Sequence, residues 1–319
     1  MRQNTIRYDS AIFITHPRSN SRAPSKKRQT TKMVYAGRLV NFSLTAISRL
    51  STVQALNTNS KLLANNPRQL ATTMCSFPER IKFSSDFFFR QLFDGESSTY
   101  SYLLADISTK EAVIIDPVLE QAKRDAQLVK DLGLQLKYAI NTHMHADHIT
   151  GSGWLRQLTG CQTIIAAASG AKADLHLKEG DKIQFGRHSI DALATPGHTN
   201  GCMSYVIKEQ GCIFTGDTIL IRGCGRTDFQ EGNPKNLYEN VHQKIFTLPE
   251  NYRIYPAHDY KGQLESSVWE EKRLNPRLTK NLEEFIEIMN NLNLPYPKKI
   301  DVSVPANREC GVYDIPKEQ

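Results

Sequence analysis

The sequence predicts an α/β fold of two sheets packed face to face with helices covering the outside, an αββα sandwich. Three observations carry this expectation. Short strand-like runs recur at close intervals from Phe87 onward, helix-like runs follow each strand-rich half, and 319 residues suffice for one large two-layered domain with a tail. β-rich single domains reach about 250 residues, so one globular unit is the default. Packing two sheets with helices outside buries an apolar face of every element in such a chain.

Residues 87–93, 100–105 and 112–116 read as short strands separated by turn residues, an opening meander. Apolar residues at Leu119, Ala122, Ala126, Val129 and Leu132 then come close to helical spacing with charges between them, which makes 119–132 a surface helix. Residues 136–140 form a buried strand that runs directly into Asn141-Thr142-His143-Met144-His145-Ala146-Asp147-His148, and 154–158 is helix-like. Further strands are expected at 163–167, 183–185, 189–194, 203–207 and 212–214, with helices near 234–246 and 265–273. No repeat of solenoid length is present, and no low-complexity tract lies outside the N-terminal segment.

The net charge of +7 divides unevenly. Residues 1–78 hold twelve Arg and Lys against Asp9 alone, a charge of +11, which leaves 28 basic and 32 acidic residues, −4, over 79–319. The body is therefore no nucleic-acid binder. A segment rich in Arg, Ser, Thr and Asn and nearly free of acids has the composition of an organelle transit peptide. Within it, residues 33–50 can wind into a helix that clusters Leu39, Phe42, Ile47 and Leu50 while Arg38 and Arg49 project, and Met33 offers an internal start codon. A disordered basic tail that binds nucleic acid or an acidic surface is the other use of such a composition. The expected division is a transit segment, 1–78, and a catalytic domain, 79–319. Six cysteines without a C-x-x-C pair suggest neither a zinc ribbon nor a disulfide framework, and no run of 18 apolar residues exists to span a membrane.

Five of nine histidines fall in three short loops: His143, His145 and His148, with Asp147 among them; His198 in Thr195-Pro-Gly-His-Thr199; and His258 in Tyr255-Pro-Ala-His-Asp259. Asp217 adds a carboxylate after Gly216. Loops fixed to strand ends let a rigid scaffold aim imidazoles at one point. In an extended loop His143 and His145 would point the same way, with Asp147 and His148 turned toward an adjacent position, which permits two neighbouring metals. Imidazoles with a carboxylate suit Zn²⁺, Fe²⁺ or Mn²⁺ rather than Ca²⁺ or Mg²⁺. The structural alternative has Asp147 as a helix cap and the histidines as ordinary satisfied polar groups.

His143-Met-His-Ala-Asp-His148, Pro196-Gly-His198, Gly216-Asp217 and His258, in that order, resemble the motifs of the metallo-β-lactamase superfamily over residues 87–313. More narrowly, Asn141-Thr-His-Met-His-Ala-Asp-His-Ile-Thr-Gly-Ser-Gly153, Arg222-Gly-Cys-Gly-Arg-Thr-Asp-Phe229, Ala257-His-Asp-Tyr-Lys-Gly262 and Asn275-Pro-Arg-Leu278 are similar to the mitochondrial persulfide dioxygenases. That resemblance implies oxidation of glutathione persulfide by O₂ to sulfite and glutathione in the mitochondrial matrix. It also implies one Fe²⁺ per chain held by His143, His198 and Asp217. Two histidines and one carboxylate leave positions open for substrate and O₂. Such a centre is formally +1, so a persulfide anion neutralises it and donates electron density.

By the same resemblance Arg226 and Tyr260 contact the glutathione part, one as a fixed cation and one as a hydroxyl donor. An ion pair of Arg226 with Asp228 and a packing role for the Tyr260 ring are the structural alternatives. His145, Asp147, His148 and His258 would orient ligands or water. Cys224 is a candidate redox-sensitive thiol beside the site. The competing activity is a glyoxalase II-like hydrolase of glutathione thioesters with two divalent metals, zinc or iron. There His143, His145 and His198 would hold the first metal, Asp147, His148 and His258 the second, and Asp217 would bridge. The chain runs only 61 residues past His258, short for the glutathione-binding helical extension such a hydrolase wants. Neither membrane nor nucleic acid is an expected partner, and the oligomeric state stays open, a homodimer included.

Overall fold

A computed structural model describes residues 77–312. The N-terminal segment through residue 76, with its candidate helix at 33–50, lies outside the described residues, as do 313–319. The first sheet contains β1 (Phe87–Asp94), β2 (Thr99–Asp106), β3 (Glu111–Ile115), β4 (Gln135–Ile140), β5 (Gln162–Ala166) and β6 (Leu175–Leu177), in that spatial order. Its first three strands form the expected antiparallel meander, and β3 to β6 run parallel. The second sheet holds β7 (Lys182–Phe185), β8 (His188–Ala194), β9 (Met203–Ile207), β10 (Cys212–Gly216), β11 (Arg253–Pro256) and β12 (Ser266–Ser267). All its pairings are antiparallel except that of β10 with β11.

Alternation along the strands produces three apolar layers. Tyr102, Leu104, Val113, Ile115, Ile140 and Ile164 of the first sheet meet Phe185, Ile190, Tyr205 and Phe214 of the second in the central core. The residues between them, Leu103, Ala105, Ala112 and Ile114, face outward and are covered by α1 (Ala122–Asp131) and α2 (Ser152–Thr159) through Ala122, Val129 and Leu155. On the other side Val206, Ile213 and Ile254 lie beneath α3 (Pro234–Asn240), α4 (Val268–Leu274) and α5 (Leu282–Asn290), which contribute Leu237, Val268 and Phe285. With both faces covered, β2, β9 and β10 are buried throughout, as the interior strands of a four-layer sandwich must be. A last helix, α6 (Ile300–Arg308), follows a loop.

Two expected helices begin or end differently. Residues 265–267 are not helical, because β12 occupies Ser266–Ser267 and the Ser267 side chain caps α4 by accepting from the Glu270 N–H. The 234–246 helix is regular only to Asn240, and Val241–Ile245 continues as a wider π turn. Leu119–Gln121 is a tight 3₁₀ turn that leads into α1.

Two tyrosines tie the sheets together where the histidine loops emerge. Tyr205 of β9 donates to the Asn141 carbonyl at 2.8 Å, and Tyr102 of β2 donates to the Pro256 carbonyl at 2.6 Å. Each buried hydroxyl thereby finds an acceptor on the opposite sheet, next to a loop that carries histidine.

Candidate metal centre

β4 leads to His143, β8 to His198, β10 to Asp217 and β11 to His258, so four strand ends converge on one place. The structure separates the candidate residues into two groups. His143, His198 and Asp217 form one, and His145, Asp147, His148 and His258 the other, each set offering one ligand atom per residue within 4.8 Å of the others. His143 and His145, expected on one side of an extended loop, part company. The chain bends at Thr142–His143 and again at Ala146–His148, the two rings pack 4.0 Å apart, and His145 joins the second group.

In the first group every atom turned away from the centre already has a partner. His198 Nδ1 donates to the Arg226 carbonyl at 2.6 Å, and since a carbonyl only accepts, the proton is on Nδ1 and Nε2 is left with a lone pair. The Thr142 hydroxyl donates to Asp116 Oδ2 at 2.8 Å. His143 Nδ1, 3.0 Å from the same hydroxyl, must therefore be its donor, and again Nε2 stays free. Asp217 Oδ1 accepts from His258 Nδ1 at 2.6 Å, while Oδ2 lies 3.7 Å from His198 Nε2. Two imidazole lone pairs and one carboxylate oxygen, with tautomers fixed from behind, fit a divalent metal of borderline softness.

Burial and charge support the same protonation states. Burial and the neighbouring His145 ring push the His143 pKa well below its ordinary value, which keeps the ring neutral. Burial would raise the Asp217 carboxyl, but the His258 ring beside it prevails and holds it below the usual carboxylate range.

The second group is built differently. His258 donates from Nε2 to Asp147 Oδ2 at 2.8 Å as well as from Nδ1 to Asp217, so the ring lies between two carboxylates as an imidazolium. Burial alone would lower its pKa, but Asp147 and Asp217 raise it well above the ordinary value. Asp147 Oδ2 also accepts from His148 Nδ1 at 3.1 Å, and His145 Nε2 donates to Asp116 Oδ1 at 3.1 Å. His145 Nδ1 and His148 Nε2 are buried without partners. A second ion that took His258 as a ligand would require that ring to lose a proton and break its contact with Asp147.

The Arg226 guanidinium is held in a two-pronged pair with Asp228, at 2.6 and 2.7 Å, donates to the Pro295 carbonyl at 2.8 Å and covers the Phe229 ring. The Tyr260 ring stands exposed, parallel to the His258 ring at 6.3 Å. Cys224 is buried against Met289 and beside Arg277, and burial pushes its thiol up to about 11, which makes it a packed thiol.

Three residues that no sequence motif marks shape the site. Asp116, at the end of β3, takes the Thr142 N–H and hydroxyl and His145 Nε2. Glu271 of α4 accepts the Arg222 N–H at 3.0 Å, and Asn275 and Arg277 donate to the Gly223 and Cys224 carbonyls. That brace fixes the segment in which Gly225 N–H donates to the Asp217 carbonyl at 2.7 Å and Arg226 accepts from His198. Asn307 of α6 lies beneath the His143 loop.

Residues 94–258 match the model of the metallo-beta-lactamase superfamily. The mitochondrial persulfide dioxygenase ETHE1 of Mus musculus is 61% identical over 228 residues, 71% of this chain and 90% of that protein. A hydroxyacylglutathione hydrolase of Cereibacter sphaeroides is 31% identical over 167 residues, 51% of this chain and 64% of that protein. Among solved structures, ETHE1 from Myxococcus xanthus superposes with a TM-score of 0.68 at 52% identity, across 70% of this chain and 99% of its own. Fold, ordered histidine motifs and high identity over nearly the full length of the two ETHE1 proteins agree, and the chain belongs to the metallo-beta-lactamase superfamily and, within it, to the persulfide dioxygenase family.

Proposed function

We propose that this chain is a mitochondrial matrix dioxygenase that converts glutathione persulfide, O₂ and water into glutathione, sulfite and two protons. The observation that carries the reading is the 61% identity to a persulfide dioxygenase over 90% of that protein's length. One Fe²⁺ per chain, held by His143, His198 and Asp217, is the cofactor we assign. Bound iron would supply open coordination positions and the redox chemistry that O₂ requires.

The remaining roles belong to the protein. Thr142 and the Arg226 carbonyl fix the tautomers of His143 and His198, and His258 holds Asp217 in orientation. His145, Asp147, His148 and His258 then act as a charged scaffold behind the ligands. That His258 engages both its nitrogens with carboxylates supports one metal over two. We assign Arg226, kept rigid by Asp228, to a carboxylate of the glutathione part, and the exposed Tyr260 hydroxyl to a hydrogen bond donated to that same part. The basic N-terminal segment and the mitochondrial designation of the mouse relative support import and removal of the first ~75 residues.

Metal analysis of anaerobically purified protein, with O₂ uptake on glutathione persulfide and thioester hydrolysis measured in parallel, tests the activity. One iron per chain with O₂ uptake is expected. Two metals with thioester cleavage and no O₂ uptake would overturn the reading. Import is tested by mass spectrometry of the endogenous protein, and a mature form still carrying Arg2 to Arg68 would refute it.

A further inference from the structure

The loop that carries His143 is gripped at both ends. At its start, the Thr142 N–H and hydroxyl bond to Asp116 at 2.7 and 2.8 Å. At its far end the grip comes from one side chain of α6, outside the 94–258 stretch that the superfamily model matches. Asn307, 3% exposed, donates from Nδ2 to the carbonyls of His145 at 2.8 Å and His148 at 2.9 Å, and its Oδ1 accepts the Thr150 N–H at 2.7 Å. A carboxamide is the group of this size that presents two donors and an acceptor in one plane, so Asp or Ser cannot reproduce the pattern.

The end of α6 is itself seated firmly. Gly153 N–H donates to the Cys310 carbonyl at 3.1 Å, and Lys172 N–H to the Arg308 carbonyl at 2.8 Å. Gly311, at φ +72°, lies so close to the Thr150 carbonyl that a Cβ there would be 2.1 Å from its oxygen. Asn307 is thus a fixed point, and the loop bends to it.

We propose that Asn307 is a positioning residue of the metal centre. By pinning the carbonyls of His145 and His148 it holds the turn that aims the His143 imidazole at His198 and Asp217. The inference rests on His143 being a ligand, as in the reading above. It gives the C-terminal helix a task distinct from substrate binding: the helix braces the metal loop from behind.

The test is the affinity of the full chain for Fe²⁺, titrated anaerobically against a chelator. Asn307→Ala should weaken it about 10- to 100-fold, the usual effect of removing a hydrogen-bond partner behind a metal ligand. With iron saturating, KM for glutathione persulfide should stay at the wild-type value, because the substrate contacts lie on other loops. Asn307→Ser, which keeps one donor, should fall between alanine and wild type, and its unchanged iron affinity would overturn the proposal if the alanine variant does not fold. Ile300→Ala, buried at the start of the same helix, should lower Tm and leave iron affinity alone. If Asn307→Ala loses Tm like Ile300→Ala but keeps iron affinity, the role is only packing and the proposal fails. If instead His143→Ala retains iron, the ligand assignment fails, independently of Asn307.

Discussion

His258 donates from Nδ1 to Asp217 Oδ1 at 2.6 Å, and the opposite nitrogen of the same ring donates to Asp147 at 2.8 Å. One candidate ligand and one acid behind it are thus linked through a single imidazolium. Asp217→Ala removes the only anion of the triad, so iron and O₂ uptake should both be lost. Asp147→Ala should retain close to one iron per chain, with activity reduced about 10- to 100-fold through loss of orientation. Metal stoichiometry beside activity checks this. A wild type with two metals that falls to one in Asp147→Ala would refute the single-iron assignment.

Arg226 divides its work between backbone and side chain: its carbonyl holds His198 while its guanidinium pairs with Asp228. Arg226→Ala leaves the carbonyl in place, so iron content should persist. Steady-state kinetics should show KM for glutathione persulfide rising more than kcat falls, since a remote carboxylate contact is equal in ground and transition states. Loss of iron or unfolding would mean that the guanidinium serves the ion pair alone.

Gly225 sits where no side chain fits. A Cβ there would lie 2.6 Å from the Asp217 carbonyl oxygen and 2.7 Å from His198 Nδ1. Gly225→Ala should therefore displace two candidate ligands at once, at a cost of about 1–3 kcal/mol for overpacking. Iron binding should fall further than Tm. Normal iron affinity in a folded Gly225→Ala chain would show that the segment tolerates movement without consequence for the site.

Asp106, at the end of β2, joins the two sheets by accepting from the Arg187 backbone N–H and from its guanidinium in the β7–β8 turn. The guanidinium bond is the largest influence and overcomes burial, so the folded pKa lies below the ordinary carboxylate value. A depressed folded pKa gives stability that is fully present above the unfolded value of about 4 and is lost as pH falls through the folded one. Denaturant melts of metal-free protein should show Asp106→Asn less stable than wild type at neutral pH, with the gap closing in acid. A gap that stays constant into strong acid would remove the carboxylate charge from the explanation.

The sequence shows the sandwich because alternation survives in strands covered on both sides: Tyr102 and Leu104 face inward, Leu103 and Ala105 outward. It hides β6 and β12, three and two residues long, because such lengths hold no periodicity. The histidines stand out because H-x-H-x-D-H is improbable by chance. Their division into two groups does not, since it depends on bends at Thr142–His143 and Ala146–His148 that side-chain identities do not encode. Glu271 and Asn307 reach the site through backbone N–H and C=O groups, and a residue that recognises backbone leaves no pattern in the residues it holds; Asp116 holds Thr142 and His145 from 26 and 29 residues away, beyond the reach of any local motif.

The strand ends bring a further consequence. His143 leaves the first sheet, whereas His198 and Asp217 leave the second, so an ion held by the three would rivet one half of the sandwich to the other. An ion that binds only the folded chain stabilises it by mass action, about 2.7 kcal/mol at a hundredfold excess over Kd. Iron supply would then govern the lifetime of the protein as well as its turnover: a metal-starved compartment would hold fewer molecules, cleared by proteolysis, and chelation in vitro should show as a lowered Tm before any chemistry is assayed.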